Sequence, residues 1–406
     1  MKLPNPTTRY PHQIWLLFWG NLIAMAGQSL VWPFLTIYIR QQLDVPLSQI
    51  TPLFTLQSIT SVAAAGLLGS AMDRFGRKWA MVVGPLAASV TLIAMSGANT
   101  LALWAVLLSL YAITTTAFRI GSHAMVADFV EPEQRAGAYA LLRMAANVGI
   151  AVGPAIGGFL VAISYTLSYF IAAAVQVLIA IYALARLQET LPADEDPAQP
   201  RRRTIGYGPL LHDRPFLTLW GVYLLIEMAA SIVFVLLAVY IKEQFAIPEN
   251  QFGFILATNA TMVVLFQYGM TRITQRYPPL LVMALSGLFY AGGLGIFAIG
   301  QDFFTFWLGM VVLTIGELML APTATAAVAH LAPADMRARY MGIYGLSYRV
   351  GAGIGPVVGG LLADAIAPAA PWYGGMLVAL AASVGFLLMA RSRRFQAIQA
   401  EATRSA

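Results

Sequence analysis

Cysteine is absent from the 406 residues, which excludes disulfides, thiol catalysis and thiolate metal sites. Charge is scarce: Asp, Glu, Lys and Arg together make up 10% of the chain. The four histidines, His12, His123, His212 and His330, are scattered without ligand spacing, so no metal site and no bound cofactor is expected. The chain has no Gly-x4-Gly-Lys-Ser/Thr phosphate loop, which removes a self-contained ATP-driven pump. Nothing resembles a hydrolytic triad, and an enzyme is not expected. The N-terminus has no cleavable signal pattern, and the first apolar stretch is long enough to be a retained helix.

What is abundant is apolar surface. Hydrophobic residues reach 59% and the mean hydropathy is +0.72, values foreign to a soluble chain of this length. A bilayer core of about 30 Å needs about 20 apolar residues per helix. Twelve such segments are expected, at 14–39, 50–72, 79–98, 101–127, 137–163, 166–187, 216–241, 251–272, 279–299, 303–329, 338–364 and 371–391. The fold class is an all-α membrane protein of two six-helix bundles. Membrane lipid is thus an obligatory partner, and no protein partner is implied.

The net charge of +6 matters less than its distribution. With the N-terminus inside, the inner loops and tails carry Lys2, Arg9, Arg74, Arg77, Lys78, Arg135, Arg186, Arg201, Arg202, Arg203, Arg214, Arg272, Arg276, Arg337, Arg339, Arg391, Arg393, Arg394 and Arg404. The outer loops keep Arg40 and Lys242. Positive charge marks the inner side, so both termini are expected in the cytoplasm, in an inner or plasma membrane. The basic residues are topology signals, and no nucleic-acid partner is expected.

One long polar interruption, Gln188 to Pro215, separates the halves. The domains are read as 1–187, a linker 188–215, and 216–406. The halves repeat: Trp19-Gly20 returns as Trp220-Gly221, Tyr38-Ile39-Arg40 as Tyr240-Ile241-Lys242, Pro46 as Pro248 and Arg135 as Arg337. Six helices per half make the repeat parallel, about an axis along the membrane normal.

A glycine face appears in both halves. Gly149, Gly153 and Gly157 recur every four residues, with Pro154 between and Gly158 beside them; Gly351, Gly355 and Gly359 follow the same pattern around Pro356. Such a face admits a neighbouring backbone closely. In lipid a helix carrying an interior proline persists and bends. The paired occurrence points to seams where helices rock.

The second span ends in Gly69-Ser-Ala-Met-Asp73-Arg74-Phe-Gly76-Arg77-Lys78, a tight turn with one acid and three bases. This resembles the Major Facilitator Superfamily signature between helices two and three. The resemblance implies that Asp73 faces the start of helix eleven and that Arg77 pairs with an acid at the end of helix four, where Asp128 stands, forming a cytoplasmic gate. The second copy, Thr271 to Tyr277, lacks the glycine and the acid. The Gly149 to Gly158 stretch is similar to the fifth-helix motif of the drug/proton antiporter branch. That branch often carries an arginine midway along helix four; Tyr111 to Thr116 has none, and Arg119 follows later.

Five ionisable residues lie inside apolar spans: Arg119, Arg143, Glu227, Glu317 and Arg349. A charge such as Arg or Asp at mid-bilayer costs about 2.5–3.5 kcal/mol on insertion scales, so each must face protein or water. Glu317, in Gly316-Glu317-Leu-Met-Leu-Ala-Pro322, matches a pattern of multidrug antiporters. It is the first candidate for proton coupling, followed by Glu227 and Asp128, the competing role being a structural ion pair with Arg349 or Arg143. Asn21, Gln28, Trp32, Gln57, Tyr223 and Asn259 are candidate cavity residues, suited with Glu317, Glu227, Arg143, Arg349 and Arg119 to bulky lipophilic substrates. The expected function is proton-coupled export of lipophilic cations or neutral compounds by alternating access, with small molecules and protons as partners. Alternatives are a dedicated carrier of a sugar, organic anion or lysolipid, and a signalling protein that kept the fold without transport.

Overall fold

The computed structural model describes residues 10–131, 134–190, 208–333 and 336–392. Most of the linker, and Lys2, Arg9, Arg201, Arg202, Arg203, Arg393, Arg394 and Arg404, lie outside the described residues. The helices are α1 (His12–Ser29), α2 (Leu35–Leu43), α3 (Leu47–Phe75), α4 (Arg77–Met95), α5 (Leu101–Phe129), α6 (Arg135–Ile163), α7 (Tyr165–Arg186), α8 (Gly208–His212), α9 (Arg214–Phe245), α10 (Glu249–Thr274), α11 (Pro279–Ile299), α12 (Phe303–Leu331), α13 (Arg337–Ala365) and α14 (Ala370–Arg391). Among the described residues twelve stretches are long and apolar enough to cross a membrane, each overlapping a span expected from sequence. The chain is an all-helical, multi-pass membrane protein.

The first span differs from expectation by being broken. α1 stops at Ser29, a 3-10 turn follows over Trp32–Phe34, and α2 begins at Leu35. Pro33 falls within that turn, where its missing N–H cannot continue an α-helical ladder. α2 then closes on Asp44 at φ 47°, and α9 closes on Ala246 at φ 53°, so the left-handed helix end before Pro46 recurs before Pro248.

Contacts divide the chain into two compact units. Unit 1 holds residues 1–45, 56–195 and 248–264; unit 2 holds 46–55, 196–247 and 265–406. This division does not follow the linker alone: the first turns of α3 group with unit 2 and those of α10 with unit 1.

In unit 1, α1 packs on α6, and α4 on α5 and α7. Its core includes Ile14, Leu17, Phe118, Met125, Leu142 and Ile179, all buried. The glycine face of α6 receives α1 directly: a methyl on Gly149 would sit 2.5 Å from the Leu22 carbonyl oxygen, and methyls on Gly153 and Gly157 would strike Ser29 and Leu30. Beyond them Gly158 faces the Glu249 backbone, and the Tyr165 hydroxyl donates to Glu249 at 2.7 Å.

Unit 2 repeats the theme with α13 on α9. A methyl on Gly351 would lie 2.7 Å from Glu227 Cβ, and one on Gly355 would strike Ser231 and Met228. The Ser231 hydroxyl donates to the Gly351 carbonyl at 2.8 Å, a bond that only so close an approach permits. The Ser48 N–H, at the start of α3, donates to Asp364 of α13 at 2.7 Å. An aromatic core of Tyr240, Phe245, Phe297, Phe306 and Trp372 holds α9, α11, α12 and α14 together. Large apolar side chains such as Leu67 and Phe304, each 74% exposed, cover outer faces, as lipid-facing helices require.

Candidate functional site

The candidate site has one part in each unit. In unit 2, the periodicity of α9 places Tyr223 and Glu227 one turn apart on one face. A hydrogen bond joins their side chains. Glu317 of α12 lies within electrostatic range of Glu227, and buried Tyr290 of α11 lies within range of both. From α13, Tyr344 packs its ring on Tyr223 at 4.9 Å between centroids, while Tyr348 sits within range of both glutamates and of Arg349. The Gly351 seam against Glu227 sets how near α13 stands. Two carboxylates and four phenols are thus gathered by α9, α11, α12 and α13.

Unit 1 holds the turn between α3 and α4. Gly76 has φ +99°, where a side chain is strained, and a Cβ there would collide with Glu189. The Glu189 carboxylate accepts from the N–H groups of Arg77 at 2.8 Å and Lys78 at 3.1 Å, two of the donors that open α4. Arg77 is buried, its Nη2 3.2 Å from Asp73 Oδ1 and its Nε 3.4 Å from Asp128 Oδ2. The Thr190 hydroxyl donates to the same Asp128 oxygen at 2.6 Å. Arg74 lies over the Phe75 ring, and Gly69 faces open space.

The structure brings together some of the residues expected from sequence and separates others. Glu227, Glu317 and Tyr223 share the unit 2 cluster, Arg349 is shown only beside its chain neighbour Tyr348, and Asp128 belongs to the Arg77 turn. Asn21 is buried in helix packing, donating to Leu17 O at 2.8 Å and Ser122 Oγ at 3.1 Å. Gln28 and Arg119 line a unit 1 recess. Arg143 lies exposed on α6, Gln57 is half-buried, Trp32 falls in the 3-10 turn, and Asn259 is buried on α10. Sequence reasoning passed over Tyr290, Tyr344 and Tyr348, because tyrosine in an apolar span carries no periodic mark. It also passed over Glu189 and Thr190, which read as part of a charged linker.

Against known proteins, the Major Facilitator Superfamily model matches residues 17–240 and 219–405. A Na(+), Li(+), K(+)/H(+) antiporter of Planococcus maritimus is 27% identical over 369 residues, 83% of this chain and 86% of that protein. Multidrug resistance protein 1 of Bacillus subtilis (strain 168) is 24% identical, over 86% of this chain and 89% of its own. Among solved structures, a POT family transporter in complex with a thioalcohol-conjugated peptide superposes with TM-score 0.78 at 16% identity, covering 95% of this chain and 97% of that one, a likeness of fold. The repeat, the Asp73 to Lys78 turn and these matches agree: the chain belongs to the Major Facilitator Superfamily and is a transporter of that family.

Proposed function

We propose that the protein is a proton-coupled exporter of lipophilic cations, working by alternating access in the cell membrane with both termini in the cytoplasm. The observation that carries this reading is the pairing of Glu227 and Glu317 inside apolar helices, ringed by Tyr223, Tyr290, Tyr344 and Tyr348. A proton or an organic cation can balance the pair, so the two compete for one site. Tyrosine faces add dispersion and cation–π attraction for a bulky cation, about 0.5–2 kcal/mol per good contact. The turn at Arg77 serves as the cytoplasmic gate, and the glycine seams let α6 and α13 rock against α1 and α9. Exchange of one proton for one monovalent cation moves no net charge, so the pH difference drives it: each inward pH unit, about 1.4 kcal/mol, sustains roughly a tenfold outward substrate gradient.

A second reading has its own support. Carboxylates and phenol oxygens are hard ligands, suited to alkali cations, and the Planococcus relative is named for exchanging Na(+), Li(+) and K(+) for protons.

The deciding experiment uses inside-out vesicles with an imposed proton gradient. Unrelated lipophilic cations are expected to collapse the gradient in the wild type and not in Glu317→Gln. Collapse by Na+ or K+ alone supports the second reading, and collapse by one metabolite a dedicated carrier. Full collapse by drugs in Glu317→Gln refutes the coupling role.

A further inference from the structure

Unit 1 buries a carboxylate that the exporter reading does not use. Glu249, the first residue of α10, is 5% exposed, although Gln251 just beyond it is open to solvent. The Tyr165 hydroxyl donates to it at 2.7 Å, and the Tyr165 ring stacks on Tyr38 of α2 at 5.2 Å between centroids. Tyr38 also packs on Tyr169, at 5.0 Å. Tyr169 is 1% exposed, and its hydroxyl has no hydrogen-bond partner among the described residues while lying within electrostatic range of Tyr38, Tyr111 and Tyr165. A carboxylate and an open phenol oxygen thus share one aromatic box. The other titratable groups of α2 are Arg40, which donates to the Val45 carbonyl at 2.6 Å, and Asp44 at its close. Those of α6, Arg135, Tyr139 and Arg143, belong to its opposite half, as Tyr182 and Arg186 do on α7; Lys242 and Glu243 precede Glu249 in the last turn of α9.

The repeat shows that the backbone seam does not require this buried acid. Pro46 matches Pro248, so Leu47 stands where Glu249 does. A methyl on Gly360 would lie 3.1 Å from the Leu47 carbonyl oxygen, much as one on Gly158 would lie 2.7 Å from that of Glu249. Tyr165 follows Pro154 by the same interval as Ala367 follows Pro356, and the acid of the unit 2 seam, Asp364, is exposed. Buried acid and phenol are therefore missing together from the copy that makes the same backbone contact. In unit 1 they are added where α10, from the second half of the sequence, meets α6 and α7 from the first. A methyl on Gly253 would sit 2.5 Å from the Pro154 carbonyl oxygen, so α10 is seated on the bend of α6. A movement of α10 away from α6 and α7 must break the Tyr165–Glu249 bond. We propose that Glu249 is a proton-binding site whose charged carboxylate latches α10 to Tyr165 and whose protonation releases it. The proton joins a carboxylate oxygen, and Tyr165 is left donating to a neutral acceptor, a bond about half as strong. The Tyr169 oxygen gives the incoming proton carrier an acceptor inside the box. The inference concerns unit 1 alone and goes beyond the exporter reading; with both termini in the cytoplasm, this end faces outside and the proton arrives from there.

The test is hydrogen exchange followed by mass spectrometry, on the full chain in lipid nanodiscs, over a pH series from about 7 down through the ordinary carboxylate range near 4. Protection at residues 251–256, taken relative to the intrinsic rate at each pH, is expected to fall about five- to tenfold in the wild type, the difference between a charged and a neutral acceptor. Glu249→Gln should show the lower protection throughout, with no step. A wild type without the step, a step that persists in Glu249→Gln, or a fall spread evenly over all helices overturns the proposal. Should Glu249→Gln fail to fold, Tyr165→Phe decides: it keeps the carboxylate and lacks the latch, so its protection must be low and independent of pH, and a step like that of the wild type overturns the proposal. The measurement uses neither substrate nor gradient, so its failure leaves the Glu317 reading standing. Glu317→Gln should keep the step, and its loss there would place the proton elsewhere and overturn the assignment to Glu249.

Discussion

Replacing Glu189 by alanine isolates what its carboxylate does for the start of α4. The side chain accepts from the Arg77 and Lys78 N–H groups at 2.8 and 3.1 Å and brings a negative charge to the positive end of the helix. Losing a capping acceptor costs about 0.5–2 kcal/mol, and losing a favourable charge at a helix N-terminus about 0.3–1 kcal/mol. Glu189 is solvent-exposed, which screens the charge, so the lower half of the sum applies: about 1–2 kcal/mol, confined to the first turn. Gly76 has no side chain to replace the cap. The opening equilibrium of that turn should rise about 5- to 30-fold. Hydrogen exchange followed by mass spectrometry on the peptide covering residues 73–80 reads this directly. Glu189→Ala should exchange faster at Arg77 and Lys78 by that factor, with Glu189→Gln in between because its amide oxygen still accepts. Unchanged exchange would refute the capping argument. Acceleration spread evenly along α4 would show general destabilisation instead.

Other expectations follow from the same geometry. Gly351→Ala forces a methyl against Glu227 and should lower stability by about 1–3 kcal/mol, whereas Gly342→Ala on the same helix meets open space and should raise it by about 0.5–1 kcal/mol; thermal unfolding monitored by size exclusion compares them. In the vesicle assay, Glu227→Gln, Glu317→Gln and the double variant should lose proton-coupled transport to similar extents, because the pair acts as one unit; losses that multiply would contradict the shared role. Asp302 caps α12 through the Thr305 N–H at 2.8 Å and its hydroxyl at 2.9 Å, and these bonds hold its carboxyl below the usual range. The cap is therefore present above the ordinary carboxylate pKa and fades as pH falls through the lowered one. Protection at residues 303–306, taken relative to the intrinsic exchange rate at each pH, should fall in acid for the wild type and show no such step in Asp302→Asn.

The spans and the Arg77 turn could be read from the chain because each depends on local order: runs of apolar residues, and charges at fixed spacing around a glycine. The glycine faces were legible as faces, but their partners were not, since nothing in Gly149 or Gly351 names α1 or α9. The phenol shell around Glu227 and Glu317 draws on four helices, and no window of sequence contains it. Glu189 was hidden differently. Its role depends on a helix start more than a hundred residues earlier, and its neighbours disguise it as ordinary linker charge. The break in α1 was missed because the apolar run continues through it while the backbone does not.

That break gives the two units unequal stiffness. In unit 1, α1 gives up its α-helical ladder near Ser29, and Gly153 and Gly157, on either side of Pro154's missing donor, press against Ser29 and Leu30. Two adjacent rods are notched at one level. In unit 2, α13 carries Pro356 beside Gly355, but its neighbour α9 runs unbroken from Arg214 to Phe245 and acts as a splint. A bending load shared equally by both units would flex the first before the second, so two halves built on one repeated plan differ in compliance at their glycine seams.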